Sequence, residues 1–388
     1  MKICLVSIVK NEGKIIKRML ESCLFIIDMI CITDTGSTDS TKLIIEEFAL
    51  IYDIPCKIFD DQFENFGKSR TISYQNALKT YPNCDYFLLS DADFVWNDKQ
   101  FDKNQLTEDQ YLVINKTKIK YDFWNIRLLK NNFEYICIGA THEFWMKKVN
   151  NKHEYLNNNK LTTLEIIDYN DGGCKKNKYK RDEKLLLDEI KTLSNDKSLF
   201  YKNIYYLGQT YSCLNEYEKS NHYYFERLIN YDVEDDELNF ISHLQIANNY
   251  YKLFLKYYKL YNTFINSQHS SLEKLIRINY KELFPLLYYS YEDQKTKLLK
   301  ILTIFLDQSS NEYIKTYLYR KTRIEPLRLL INNLIYKKKY NSIIRFCLIA
   351  SEIKIPNDKV YVNLEYYDKI YYQNMISNIK KVFDLNNI

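Results

Sequence analysis

At 388 residues, 46% of them hydrophobic, the chain has length and apolar content for two or three domains of roughly 100–200 residues with sizeable cores. Its 55 basic and 50 acidic residues leave a net charge of only +5. The basic ones are scattered as Lys rather than clustered with Arg and aromatics, which excludes a nucleic-acid footprint. Nine cysteines, spaced singly with no CxxC pair, exclude a disulfide framework and a zinc ribbon and fit reduced thiols in a cytoplasmic setting.

Gly and Pro number 7 and 5, so loops should be short or Asn-rich and helices plentiful. The abundance of Lys, Asn, Ile and Tyr is the bias of an AT-rich genome, viral or cellular. The opening MKICLVSIVKNE is too short and too soon charged for a signal peptide. The longest apolar stretch, Cys23–Ile32, is broken by Asp28, and nothing approaches the ~20 residues of a membrane-spanning helix. A soluble, cytoplasmic protein is expected.

In chain order, Ile3–Val9 reads as a first buried strand, followed by a turn at Lys10–Gly13 and a helix over Lys14–Leu24 with apolar residues at helical spacing. Met29–Thr33 is a second strand ending in Asp34-Thr35-Gly36-Ser37-Thr38-Asp39, where Gly36 supplies the turn and Ser37 or Asp39 can cap a helix over Thr41–Ala49. Cys56–Phe59 is a third strand, and Gly67–Lys79 a third helix. Then comes Asp85–Trp96, DYFLLSDADFVW, in which an apolar run ends abruptly in acids. Alternation of strand and helix at this spacing predicts a doubly wound, mostly parallel α/β sheet. The three strand ends bearing Asp34, Asp60/Asp61 and Asp91/Asp93 should share its carboxyl edge, where such sheets bind ligands. Asp91 and Asp93, one residue apart, offer hard oxygens suited to Mg²⁺ or Mn²⁺ bridging a diphosphate. Arg70, with Lys68 beside it, is the candidate base for that diphosphate.

After Asp93, Tyr111–Asn115, Phe123–Leu129, Tyr135–Ile138, Glu143–Met146 and Leu161–Ile167 read as strands without long helices between them, extending the sheet in mixed or antiparallel fashion. Thr141-His142-Glu143 lies among them, and Asp171-Gly172-Gly173 is a flexible turn placed to close over the site. From Lys184 onward helical periodicity prevails. Asn203–Asn230 reads as two helices broken at Leu214-Asn215-Glu216, with Leu207, Gly208, Tyr211, Ser220 and Tyr224 at tetratricopeptide positions. Ile246, Ala247 and Tyr250 repeat the first helix, and Glu325–Pro356 gives a third approximate unit. A catalytic domain over 1–174 and a helical, tetratricopeptide-like domain over 175–388 are expected.

Taken together, the chain resembles family 2 glycosyltransferases of the A-type nucleotide-sugar fold, in the group with a C-terminal tetratricopeptide-like region. CLVSIVKNEGKIIKRMLESC is similar to the family's opening strand and helix, CITDTGSTDST to its VDTGSTDxT signature, and FDDQFENFGKSRTISYQNA to the segment before its metal motif. LLSDADFVW resembles its DxD, RLLKNNFEYICIGATHEFW its RLF and HE element, and DYNDGG with KRD its closing loop. The resemblance implies a metal-dependent inverting transferase moving a sugar from a nucleotide sugar to a hydroxyl on a protein or glycan. It implies that Ser7, Lys10, Asn11 and Glu12 line base and ribose and that Asp34, set by the Gly36 turn, reads the nucleobase. A UDP-sugar is favoured because an Asp can accept from uracil N3–H. Arg70 then neutralises the diphosphate, and Asp91, Asp93 and His142 hold Mn²⁺ or Mg²⁺. Glu143 is the general base, with Asp171 or Glu165 in reserve. The helical part is a candidate for holding the acceptor or for pairing two copies as a homodimer. A competing reading is a spent transferase whose helical repeat binds a peptide as a scaffold. A nucleotidyltransferase ranks below both, since the turn after the first strand carries only Gly13.

Overall fold

The computed structural model describes residues 1–117, 122–150, 152–173, 177–193 and 196–231, with scattered positions up to 253. The chain divides into two compact units, Met1–Leu199 and Phe200–Ile388.

In the first unit β1 (Ile3–Val9), α1 (Ile16–Ser22), β2 (Met29–Asp34), α2 (Thr41–Ile51), β3 (Cys56–Asp60), α3 (Phe66–Thr80) and β4 (Tyr86–Leu89) alternate as expected. β1 pairs in parallel with β2 and β4, and β2 with β3. Then the pattern changes. β5 (Phe94–Asp98) follows β4 at once, and β6 (Gln110–Thr117), β7 (Phe123–Lys130), β8 (Glu134–Ile138), β9 (Phe144–Val149), β10 (Lys152–Tyr155) and β11 (Lys160–Asp168) come without an intervening α-helix. Successive parallel strands need a crossover, usually helical, and this stretch has none. β7 therefore runs antiparallel to β4 and β6, and β5 to β11, while β6 and β11 are parallel. The resulting eight-stranded sheet, ordered β3-β2-β1-β4-β7-β6-β11-β5, is mixed, so the mostly parallel sheet of the sequence reading holds only for its first four strands. A second correction follows from the same segment. β8, β9 and β10 leave the main sheet and form a separate antiparallel one.

Period-two alternation splits the buried residues of the central strands between two cores. Ile3, Leu5, Ile30, Ile32, Tyr86 and Leu88 meet Ile16, Met19 and Leu20 of α1 and Ile45 and Phe48 of α2. Cys4, Val6, Cys31, Phe87 and Leu89 face the other way, with Tyr74 and Ala77 of α3 and Tyr135, Cys137 and Trp145 of the small sheet. The thiols are thus core side chains. Burial pushes that of Cys56 up to about 11 and that of Cys31 up to about 12.

Tyr74 is the hub of the second core. Its ring makes edge contacts with Phe87, Tyr135 and Trp145 at centroid distances of 5.1, 5.8 and 5.9 Å, and its hydroxyl donates to Phe133 O at 3.0 Å. One helix residue thereby clamps the main sheet to the small one. Gly67 performs the same task at the start of α3. Its N–H donates to Gly139 O at 3.0 Å, and a Cβ there would stand 2.6 Å from that same oxygen.

α4 (Lys178–Ile190) belongs to the first unit and buries Asp182 and Leu186. The first compact unit runs on to Leu199. Beyond it, α5 (Lys197–Cys213) and α6 (Tyr217–Asn230) form a helical hairpin broken where expected. Gly208 admits the ring of Tyr224, which would lie 2.8 Å from a Cβ, and Ser220 Oγ donates to Gly208 O at 2.6 Å. Ile246 is buried, and Asn249 donates to both Ser220 and Asn221. Ala247, Tyr250 and the expected unit at Glu325–Pro356 lie outside the described residues. Among the described residues no helix is long and apolar enough to cross a membrane.

Removing the Tyr74 ring leaves a cavity between two sheets. Tyr74→Ala is expected to lower the unfolding free energy of the first unit by about 3–5 kcal/mol, and Tyr74→Phe by about 1 kcal/mol, in denaturant titration.

Candidate active site

A cleft of about 590 Å³ opens at the carboxyl ends of β1 and β4. That volume lies within the range of sites that enclose a small-molecule ligand. β4 stops at Leu89, Ser90 N–H donates to Val6 O, and Phe94 N–H donates to Asp91 O at 3.1 Å. This turn, braced by Trp96 Nε1 donating to Ser90 Oγ at 3.0 Å, delivers both Asp91 and Asp93 to the cleft wall.

Arg70 on α3 governs the geometry. Its Nη2 donates to Asp91 Oδ1 at 2.7 Å and its Nε to Glu143 Oε1 at 2.7 Å. Arg127 on β7 closes on the other Asp91 oxygen at 3.6 Å, its guanidinium resting over the Phe94 ring at 4.5 Å. Burial alone would push Asp91 up, but the Arg70 and Arg127 guanidinia hold it below the usual carboxylate range. Burial would depress Arg70, yet Asp91 and Glu143 raise it above its ordinary value. Burial lowers Arg127, which Asp91 only partly offsets, and its Nε is buried without a hydrogen-bond partner.

Asp93 has the opposite environment. Burial, Asp91 and Asp168 push it up to about 6, against a backbone N–H from Gly172. That N–H belongs to the segment expected to close over the site, and here it is pinned on several sides. Gly173 N–H donates to Glu12 Oε2 at 2.9 Å. Asp171 takes Arg18 through both oxygens at 2.7 and 2.9 Å, and Arg18 lies over Tyr169 at 4.3 Å. Glu12 is itself raised by burial and by Asp93, Asp39 and Asp171, with the Gly173 N–H opposing.

The turns after β1 and β2 are laced together. Asn11 N–H donates to Ser37 Oγ at 2.8 Å, Thr38 N–H to Asn11 Oδ1 at 2.7 Å, and Gly13 N–H to Asp39 Oδ2 at 3.0 Å. Asp39 accepts from Thr41 N–H at the start of α2. Asp34 Oδ1 takes the N–H of Gly36 and of Ser37, at 2.8 and 2.6 Å, fixing the left-handed Gly36 turn at φ +100°.

The expected residues therefore sort into groups. Lys10, Asn11, Glu12, Arg70, Asp91, Asp93, His142 and Glu143 all line the cleft. Ser7 does not. It is buried and faces a separate cavity of about 90 Å³ behind Arg70, shared with Ser73, Asn125, Arg127 and Trp145. Asp34 is fully buried beneath the Gly36 turn, its second oxygen without a hydrogen-bond partner. Arg70 is saturated by two carboxylates rather than free for a diphosphate. Lys68 pairs with Glu64. Glu165 pairs with Lys99 and Lys116 on β11, away from the cleft, and Asp171 with Arg18, so neither reserve base lines it. His142 and Glu143 precede β9 in a turn rather than sitting in a strand, and His142 takes φ +54°. Thr141, Phe63, Phe66, Asn170, Lys178 and Arg181 also line it, and no role for any of them was read from the sequence. Arg127 was missed too, although a lone Arg in the apolar run NIRLL signals a charge that must find a partner.

The metal set expected from Asp91, Asp93 and His142 is not assembled. Among the described residues no group of three or more His, Cys, Asp or Glu is drawn together to hold a cation. Asp91 faces guanidinia on both oxygens. Asp93 still suits a divalent ion, being a buried carboxylate whose nearest charges are acidic. Mg²⁺ in particular needs only one or two protein carboxylates when substrate phosphates and water supply the rest.

The two acids should respond in opposite senses to neutralisation. With chelator present, Asp93→Asn is expected to stabilise the first unit by about 1–2 kcal/mol, relieving a crowded charge. Asp91→Asn should destabilise it by about 2–4 kcal/mol, leaving Arg127 without its carboxylate. Thermal and denaturant unfolding of both variants reads the signs.

Similar solved structures include S. aureus TarS 1-349, at 13% identity and TM-score 0.33, covering 64% of this chain and 81% of that one. S. aureus TarS itself matches at 12% identity and TM-score 0.33, covering 64% of this chain and 49% of that one. S. aureus TarS 1-349 in complex with UDP-GlcNAc matches at 12% identity and TM-score 0.30, covering 64% and 81%. Likeness of that degree carries no argument about this chain. No curated protein matches the sequence. The family model described as glycosyl transferase family 2 matches residues 4–167, which hold the whole eight-stranded sheet but for its end residues, together with Arg70, Asp91, Asp93 and Glu143.

Proposed function

We propose that the protein transfers a sugar from a nucleoside diphosphate sugar to a hydroxyl acceptor, by a metal-dependent, inverting displacement in this cleft. The observation that carries the reading is the joint presence of Asp91, Asp93, Arg70 and Glu143 on one wall, at the carboxyl edge of a family 2 transferase sheet.

Each residue has a role its surroundings suit. Glu143 is the general base. It lines the open cleft, and the Arg70 Nε–H holds one of its oxygens, which fixes the carboxylate and leaves the other oxygen for an acceptor hydroxyl. Asp93 is the principal metal ligand, and His142, in the same lining, is the candidate to join it once donor is bound. When bound, the cation would supply Lewis-acid stabilisation of charge on the departing diphosphate. Asp91 is held ionised by its guanidinia and fixes Arg70, so its first contribution is to placement of the base. The buried, unpartnered Asp34 oxygen fits an acceptor for a nucleobase N–H, which favours uridine, provided the Gly36 turn admits the base. The acceptor is a hydroxyl on a protein or glycan.

The test is donor hydrolysis without acceptor. The protein is screened against UDP-, GDP- and TDP-sugars with and without Mn²⁺. One donor should release nucleoside diphosphate in a metal-dependent way. Glu143→Gln keeps the Arg70 hydrogen bond and is expected to lower that rate by about 10²–10⁴. Asp93→Asn should abolish metal dependence with the fold intact. Absence of both turnover and nucleotide binding for every donor would overturn the reading.

A further inference from the structure

The charges in the cleft do not leave Arg70 for the diphosphate, and this asks which cations are. Four basic side chains line the cleft: Lys10, Arg70, Lys178 and Arg181. Arg70 carries Asp91 and Glu143, more negative charge than it can neutralise alone. Arg181 packs its guanidinium over Phe66 at 4.9 Å while meeting the Asp182 carboxylate at 3.1 Å. Lys10 and Lys178 differ from these. Both are exposed, both line the cleft, and among the described residues neither pairs with a carboxylate. Against them stand the acids of the same lining, Glu12, Asp91, Asp93 and Glu143. A donor bringing two phosphates would add further negative charge to that wall, so cations from elsewhere in the lining have to meet it.

Their positions suit the task. Lys10 follows β1, and its Nζ stands 3.8 Å from where a Cβ on Gly36 would lie, above the turn that covers Asp34. Lys178 opens α4, a few residues after Gly172 and Gly173, whose N–H groups reach Asp93 and Glu12. One ammonium thus borders the nucleobase side and the other the closing segment.

Resting on the donor reading above, we infer that Lys10 and Lys178 grip the donor diphosphate, Arg181 flanking them, so that α4 is a wall of the donor site although it lies beyond residues 4–167. The family domain alone would then bind the donor weakly, since half of this pair comes from outside it.

Calorimetry on the full chain with Mn²⁺ fixed tests this, using UDP, GDP and TDP and the matching nucleosides by competition. Wild type should bind one diphosphate far more tightly than its nucleoside. Lys10→Gln and Lys178→Gln should each weaken that diphosphate by about tenfold or more and leave the nucleoside within twofold. Lys178→Arg should restore most of the loss. Both side chains are exposed, so the Gln variants should fold normally. Unchanged diphosphate affinity in both variants, while wild type binds, would overturn the inference and leave the donor reading standing. Parallel loss of nucleoside affinity would also overturn it, as a general disturbance of the cleft. Failure of wild type to bind any of the three diphosphates would remove the donor reading, and this inference with it.

Discussion

One guanidinium ties the catalytic wall together. Arg70 reaches Asp91 at the end of β4 and Glu143 in the turn before β9, so a single side chain on α3 sets the spacing between the main sheet and the small one. A charge-assisted contact of this kind in a mostly buried place is strong only while both partners stay ionised and paired. The rest of the first unit is arranged to keep it so. Gly67 lets the start of α3 dock on the Gly139 carbonyl, Tyr74 locks the same helix between both sheets a few turns on, and Arg127 supplies the second cation that keeps Asp91 charged. Position along α3 is what aligns a base with an acid, and packing contacts, not the ion pair, fix that position.

Asp93 shows the cost of the same design. It sits beside Asp91 and Asp168, with its own backbone N–H and that of Gly172 in support. The surrounding contacts make the neighbouring segment responsive to the same charge. Gly172 leans on Asp93, Gly173 on Glu12, and Asp171 on Arg18. The Arg18 pair is half-exposed, worth about 1 kcal/mol or less, so the segment is held by several weak ties that one strong ligand can rearrange.

Much of this was legible in the sequence, for physical reasons. Buried strands that end in acids announce a sheet edge, and the first four strands, their helices and the placing of Asp91 and Asp93 at that edge followed from that pattern, whereas Glu143 came only from the family resemblance. The helical hairpin at Asn203–Asn230 was legible as well, since small residues at Gly208 and Ser220 have no other use where helices cross. What sequence could not carry was pairing at long range. Period-two runs look the same whether a strand joins the main sheet or leaves it, so the strands that became β8 and β9 were expected in the main sheet, and β10 was not expected at all. The sequence does not show that one Asp34 oxygen takes the backbone N–H groups of Gly36 and Ser37 in its own turn, which leaves only the other for a ligand. Arg70 was assigned to phosphate because it is basic, and the two acids that claim it are 21 and 73 residues away in the chain.

That last distance bears on where the functional unit ends. Motif matching follows the sheet, and the sheet is complete at Asp168, close to the last matched residue, 167. The cleft is not complete there. Its lining continues through Asn170, Gly172 and Gly173 to Lys178 and Arg181, and α4 is fastened back by Ala140 N–H donating to Glu189 Oε2 at 3.0 Å. Ala140 lies in the same turn that carries His142 and Glu143, so the helix that brings Lys178 and Arg181 to the cleft also braces the turn that brings Glu143 there. A sheet edge rich in acids cannot by itself hold a substrate rich in phosphate. The cations have to come from a segment free to be placed by contacts rather than by strand register, and a helix docked on the catalytic turn meets that condition.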